Sequence, residues 1–355
     1  MSNHSDTIEI DGSRGEGGGQ IIRSSLALSL ITGRPIAIHK IRAGRNKPGL
    51  KRQHLTAVDA AARVGCAEVT GSQIGSRELT FRPSGIFGGT YQFSVGSAGS
   101  VTLVLQTILP ALMIAESPSR LILEGGTHNP WAPPFDFLQR SFLPLVNRLG
   151  PTIAAEIESY GFYPAGGGKF SVDIQPSELK GFDLMERGEP VSRAAIALVA
   201  NLPLHIAQRE TDTIVRRMDW KPSETRNLTV NSPGPGNVVM IEQVFDNVTE
   251  IATGFGKIGI RAEKIAGDVV REARDYLKSS APLGEHLTDQ WMLPLALAVT
   301  RSGNPRSFRA THLSSHSVTQ LETLKLFLPI ETKVETCEDR SVIVRIQPVA
   351  QASSL

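Results

Sequence analysis

Apolar and polar positions along the chain fall into a rhythm that comes round more than once. From Gln20 to Thr32 the side chains are apolar on nearly every side, with Ile21, Ile22, Leu26, Leu28, Leu30 and Ile31, which predicts a helix buried over most of its surface. A short apolar run over 35–42 then predicts a strand, followed by a Gly- and Pro-containing loop, a helix over 51–64 and two strands ending near Phe81. From Gly96 the order recurs: a helix over 101–115, a strand over 120–124, a loop, a helix over 135–149 and two strands ending near Ile174. A third pass opens at Asp289, with a helix over 290–300, a strand over 306–311, a loop, a helix over 318–327 and strands over 331–334 and 341–346. The unit is αβαββ, with a further strand expected in front of it. Each copy has an apolar sheet face that its helices must cover, and three copies can close around a pseudo-threefold axis.

Residues 184–280 break the rhythm. They predict strands over 192–200, 226–231, 238–245 and 249–256, and helices over 206–218 and 262–279. About one hundred residues with their own periodicity are enough for a domain. The expectation is therefore an α/β (α+β) fold in which 1–183 and 281–355 form a large domain of three repeats, and 184–280 form a smaller inserted α/β domain.

Composition narrows the class without choosing a function. Forty per cent of the 355 residues are apolar, which excludes wholesale disorder and coiled coil, and a net charge of +2 excludes any argument from overall basicity. Cys66 and Cys337 lie far apart and lack the spacing of a zinc site or a disulfide scaffold, so a reducing, cytoplasmic setting is expected. The amino terminus lacks the basic-then-apolar pattern of a signal peptide. The longest apolar stretch, 101–115, is interrupted by Gln106 and Pro110 and is too short to span a bilayer, so a soluble protein with no membrane partner is expected.

The average charge conceals an uneven distribution. Between Glu16 and Asp59 there is no acidic residue, while Arg23, Arg34, Lys40, Arg42, Arg45, Lys47, Lys51 and Arg52 fall in that interval. The densest part, 42–49, reads as a loop with two glycines and a proline. Arginine offers a planar fork to phosphate oxygens and glycine lets the main chain approach them, so the segment suits phosphate.

Two glycine-rich stretches differ in context. Gly15-Glu16-Gly17-Gly18-Gly19-Gln20 stands just before a helix, where free amides and the helix dipole favour an anion. A carboxylate there repels the anion unless a metal lies between, so Glu16 suggests Mg²⁺ or Mn²⁺ with a triphosphate; a tight turn is the alternative. The stretch is neither a Walker A loop nor a dinucleotide fingerprint. Gly166-Gly167-Gly168-Lys169 lies between two strands and reads as a structural hairpin. In the third repeat, His312 and His316 occupy the loop corresponding to the one that holds Arg45 in the first and Asn129 in the second. A metal pair, a nucleophile and a helix-capping polar loop all remain open there, although no third ligand lies near and HExxH is absent.

Several of these strings together resemble one family. Gly15-Glu-Gly-Gly-Gly-Gln, Ile41-Arg-Ala-Gly-Arg-Asn-Lys-Pro-Gly-Leu, Gln53-His-Leu-Thr-Ala, Ser97-Ala-Gly-Ser, Gly161-Phe-Tyr-Pro-Ala-Gly-Gly-Gly and Asp289-Gln290 resemble the RNA 3′-terminal phosphate cyclases, in order, from about residue 8 to 347. The resemblance implies a large domain of three αβ units with a smaller inserted one, a fold shared with the enolpyruvyl transferases. It implies a reaction in which a histidine takes AMP from ATP and passes it to an RNA 3′-phosphate, and the 2′-hydroxyl then closes a 2′,3′-cyclic phosphate. By position, His316 matches the nucleophile and Glu16 the metal-binding carboxylate. Arg23, Arg42, Arg45 and Gln53 match phosphate-surrounding positions, and Gln106, Asp289 and Gln290 match nucleotide-pocket positions. Pro133 matches one wall of the adenine slot; His286 stands at the other, where tyrosine is common, and Tyr160 stands where many members have Arg or His. Noncatalytic cyclase-like relatives, which bind RNA or act in ribosome assembly, lack the nucleophilic histidine and parts of the nucleotide site. The presence here of His316, Glu16, Arg42 and Asp289 favours the enzyme. An enolpyruvyl transferase would share only the fold.

Overall fold

The structure, a computed structural model, describes residues 7–15 and 17–349. In the first repeat β1 (Ile8–Asp11), α1 (Gln20–Thr32), β2 (Ile36–His39), α2 (Arg52–Gly65), β3 (Glu68–Thr70) and β4 (Leu79–Arg82) build a sheet of order β1-β2-β4-β3. The front strand β1 runs parallel to β2, and the other pairs are antiparallel. The second repeat reproduces this plan. It comprises β5 (Thr90–Ser94), α3 (Val101–Leu112), β6 (Ser119–Gly125), α4 (Phe135–Phe137), a π-helical turn (Leu138–Phe142), α5 (Leu143–Asn147), β7 (Thr152–Ser159) and β8 (Gly168–Gln175). Its sheet order is β5-β6-β8-β7, again with a parallel front pair. The helix expected over 135–149 is thus broken by a π turn, next to Pro144, which has no N–H to give to a helical ladder.

The inserted segment has a sheet of its own. It is made of β9 (Pro190–Ala200), α6 (His205–Met218), β10 (Thr225–Thr229), β11 (Gly236–Phe245), β12 (Thr249–Phe255) and α7 (Ala262–Leu277), with order β10-β9-β11-β12. Ala195, Ala197, Val199, Val239 and Ile241 turn one face toward α6 and α7, while Ala194, Ile196, Leu198, Val238 and Met240 join the core shared with the three repeats. Burial on both faces explains why β9 reads as an unbroken apolar run from Ala194 to Ala200.

The third repeat follows with α8 (Glu285–Ser302), β13 (Arg306–Ala310), α9 (Ser315–Phe327), β14 (Ile330–Thr336) and β15 (Val342–Pro348), in a sheet of order β13-β15-β14. Its front strand is reduced to two parallel bridges, Leu184 to Phe308 and Leu283 to Ala310. The chain reaches the edge of β13 at Leu184, departs into the fourth sheet, and comes back to the same edge at Leu283. Helices α8 and α9 both begin earlier than their apolar periodicity indicates. Gly284, before α8, gives its N–H to buried Glu250 Oε2 (3.1 Å), and the Ser314 hydroxyl caps α9 by accepting the Ser317 N–H (3.0 Å). His316, expected in a loop, therefore sits in the first turn of α9, and Asp289 sits inside α8. Among the described residues no helix is long and apolar enough to cross a membrane, and Cys66 and Cys337 are unbridged.

Candidate active site

Repetition brings equivalent parts to one place. The segments that follow β2, β6 and β13, the first turns of α1 and α8 and one face of α3 surround a cavity of about 740 Å³, closed on a further side by Ile251, Thr253 and Phe255 of β12. His316, Arg23, Arg42, Arg45, Gln53, Gln106, Pro133, His286, Asp289 and Gln290 all line it. These residues come from stretches as far apart as α1 and α9, and the fold gathers them around one space. Glu16 lies outside the described residues.

The geometry around His316 defines which nitrogen carries a proton. Its Nδ1 lies 2.6 Å from Gln20 Oε1. Gln20 Nε2 donates to the His316 carbonyl (3.2 Å) and to Gln320 Oε1 (3.3 Å), so the amide is oriented with its oxygen toward the imidazole. Ser24 Oγ donates to the same Gln320 oxygen at 2.5 Å. A carbonyl oxygen only accepts, so Nδ1 carries the proton and a neutral imidazole has its lone pair on Nε2. The turn that carries His316 is tied to α8: Asp289 Oδ1 accepts the Ser314 hydroxyl (2.9 Å) and the Ser317 hydroxyl. Burial raises the Asp289 carboxyl above the usual range, opposed by those two hydroxyl bonds.

The opposite chemistry lies in the first repeat. Arg23, Arg42, Arg45 and Lys51 form a cationic wall of the cavity. The Arg42 guanidinium is buried, and its Nη1 donates to the carbonyls of Lys47 and Gly49, both at 2.8 Å, so it also holds the basic loop in shape. His54 lines the cavity beside these cations, with Nδ1 accepting the Lys51 N–H (3.1 Å). Burial first, and then Arg23, Arg42 and Lys51, push its pKa down to about 3, so it is a neutral spacer. A Cβ at Gly19 would fall 2.5 Å from His54 Nε2 and 2.7 Å from an Arg23 nitrogen. Only glycine lets the first turn of α1 approach the cations this closely, and the result is a cradle for an anion. Gln106 Nε2 and Thr253 Oγ1 are buried without a hydrogen-bond partner, as groups awaiting a ligand would be. His286, at the rim, is mostly exposed, with Nε2 4.0 Å from Glu272 Oε1.

A sequence profile of the family described as RNA 3′-terminal phosphate cyclase matches residues 14–334. The chain belongs to the RNA 3′-terminal phosphate cyclase family. An RNA 3′-terminal phosphate cyclase of Koribacter versatilis is 51% identical over 334 residues, covering 94% of this chain and 93% of that one. Proteins of the same name from Ectopseudomonas mendocina and Ralstonia nicotianae are each 45% identical, the former over 96% of this chain and 98% of its own, the latter over 96% of both. A solved enolpyruvyl transferase, NikO from Streptomyces tendae, aligns with 96% of this chain and 48% of its own at 10% identity and a TM-score of 0.35, too loose a likeness to add to the sheet order.

Membership in the cyclase family does not by itself point to every residue in the cavity. Gln20 was visible as the last letter of a glycine-rich string, but its bond to His316 spans 296 positions and leaves no local signal. His54 sits in a quoted motif, yet only the folded cationic surroundings reveal its role. Nothing in the β12 pattern marks Ile251, Thr253 and Phe255 as cavity wall. Tyr160 stacks on His128 with ring centroids 5.1 Å apart and is not among the described residues lining the cavity.

Proposed function

We propose that this chain converts an RNA 3′-terminal phosphate to a 2′,3′-cyclic phosphodiester, consuming ATP by way of an adenylylated His316. The observation that carries this reading is the hydrogen bond from His316 Nδ1 to Gln20 Oε1 at the edge of a cation-walled cavity. It leaves the reactive lone pair on Nε2 beside groups suited to phosphate.

In the first step Nε2 forms a bond to the α-phosphorus of ATP as the bond to pyrophosphate breaks. Gln20 Oε1 holds the Nδ1 proton and offsets the charge the ring gains. Arg23, Arg42, Arg45 and the amides at the start of α1 neutralise phosphate oxygens, and Gln53, Gln106, Asp289 and Gln290 orient the nucleotide between Pro133 and His286. An RNA 3′-phosphate oxygen then takes the AMP, breaking the P–N bond. Finally the 2′-oxygen, held next to the activated phosphorus, attacks it and expels AMP; proximity lowers this last barrier.

Among the described residues no cluster of three His, Cys, Asp or Glu could hold a metal, and Asp289 is the only carboxylate lining the cavity. The described residues therefore offer no protein cage. Mg²⁺ or Mn²⁺ would arrive with the triphosphate, shared with Glu16, and supply charge neutralisation. Residues 184–280 act as an inserted unit whose β12 completes the cavity wall, and the unbridged cysteines suit a reducing cytoplasm.

The test is turnover on an RNA ending in a 3′-phosphate. The expected outcome is a phosphatase-resistant cyclic end, with one AMP and one pyrophosphate released per end, and accumulation of RNA-adenylate when the terminal 2′-hydroxyl is methylated. Cyclisation without ATP, or ATP cleavage that never modifies the RNA, contradicts the reading.

A further inference from the structure

Large aromatic side chains that face water are uncommon on a soluble protein and concentrate where a partner covers them. Of the three tryptophans, Trp220 and Trp291 are 7% and 0% exposed, whereas Trp131 is 77% exposed. With Pro130 and Pro133 it lines the cavity, and its ring meets that of Tyr163, itself 59% exposed. The two rings are perpendicular, at 82°, with centroids 5.7 Å apart.

Both rings stand on braced supports. Asn129 Nδ2 donates to the Ala98 carbonyl (2.6 Å), and the Ala132 N–H donates to the Asn129 carbonyl (3.3 Å), closing the loop below Trp131. The hairpin that bears Tyr163 is closed by Gly166 N–H on the Phe162 carbonyl (2.7 Å). Phe162 is buried against Gly236, where a Cβ would fall 2.0 Å from its ring. Gly166 also packs on the backbone of Ser97 and Ala98, and Arg52 Nη1 donates to the carbonyl of nearby Gly96 (3.2 Å). Loop 96–99 thus joins the aromatic rim to the rim that carries exposed Arg45, Lys47, Lys51 and Arg52.

We propose that Trp131 and Tyr163 form a stacking platform for the bases at the 3′ end of a single-stranded RNA, with the neighbouring cations tracking its phosphates. Rigid aromatic faces beside a cationic track are what single strands bind, because every base offers a π face and every linkage a charge. The inference rests on the cavity being the place where the RNA 3′-phosphate is activated, since that fixes where the strand must leave. Selection of RNA ends then has two parts: the phosphate enters the cavity, and the bases beside it are held at the mouth whatever their identity.

The experiment uses the full chain, a short single-stranded oligoribonucleotide with a 3′-phosphate, and the same strand lacking its last two bases. Trp131 is the one exposed tryptophan, so intrinsic fluorescence reports on it. The base-bearing strand quenches the wild type and leaves Trp131→Phe unquenched. Trp131→Ala raises KM for the RNA about ten-fold while KM for ATP moves less than about two-fold, and Tyr163→Ala gives a smaller loss in the same direction. Removing the two bases costs the wild type a similar factor and costs Trp131→Ala nothing more. Unchanged RNA KM in both alanine variants overturns the platform. A rise in ATP KM in step with RNA KM also overturns it, because it assigns the rings to the nucleotide. A wild type that does not cyclise RNA at all speaks against the function and is seen before any variant is made.

Discussion

His316 and His128 lie in corresponding connections of two repeats, His128 in the loop beyond β6 and His316 in the first turn of α9 beyond β13, and they meet opposite surroundings. His128 is fully buried, with Nε2 2.9 Å from Asp136 Oδ2, Nδ1 2.8 Å from Thr127 Oγ1, and the rings of Tyr160 and Phe162 against its faces. Burial works to raise the Asp136 carboxyl, but the His128 bond and charge, with Arg140, outweigh it and hold that pKa low. Both imidazole nitrogens are occupied, so His128 can only hold structure together. His316 opens on the cavity and has a neutral amide on Nδ1. A carboxylate and a hydroxyl hold the two ring nitrogens of His128, whereas an amide orients the His316 ring from Nδ1. His54, in the first repeat, is a third solution: an imidazole kept neutral by burial and by surrounding cations. The repeat supplies the place, and the partner decides the chemistry.

His316→Ala should lower turnover by about a thousand-fold or more, measured as cyclic ends formed per enzyme, with an unchanged denaturant midpoint. Asp136→Asn should do the reverse. It replaces the carboxylate bonded to a fully buried imidazole nitrogen and should cost about 2 kcal/mol, read from urea unfolding, while the folded fraction still takes up AMP. If Asp136→Asn kept full stability and lost AMP uptake, the assigned roles of the two histidines would be exchanged.

Gln20→Glu makes the surroundings of His316 more like those of His128. A carboxylate on Nδ1 puts a charge where the native amide is neutral. Labelling from α-labelled ATP should slow by about ten-fold in Gln20→Ala, which loses the orienting bond, and by less in Gln20→Glu, which keeps an acceptor there. The most gradual effect concerns His54. Its folded pKa of about 3 lies below the unfolded value near 6.5, so between those values the unfolded chain binds the extra proton. Stability is therefore lost as pH falls through this window, by about 1 kcal/mol per pH unit, and His54→Gln should flatten the slope between pH 6 and 4 in urea unfolding. Equal slopes in wild type and variant would remove His54 from the cationic wall.

Much of the architecture was readable because burial writes itself as period. The helix expected over 20–32 and the three-repeat order coincide with α1 and with the sheets, since each repeat must bury the same faces. The extra first turns of α8 and α9 were not readable, because they are held by tertiary partners: Glu250 at Gly284 in one case, and Asp289 on Ser314 and Ser317 in the other. Burial pushes the Glu250 carboxyl up to about 8, a cost no local pattern reveals. The front strand expected in the third repeat survives only as bridges at Leu184 and Leu283, where the chain detours into the fourth sheet. At the site, residue types and strings pointed to the cavity lining, but Gln20 on His316 and β12 on the cavity are long-range contacts with no local periodicity.

The most direct test of the central claim is to find where AMP becomes attached. The protein is incubated with α-labelled ATP and Mn²⁺, digested, and the labelled peptide sequenced by mass spectrometry. The expected result is an acid-labile, alkali-stable label on His316 alone, absent from His316→Ala. A label on His54 or any other residue, or equal labelling of His316→Ala, would contradict it.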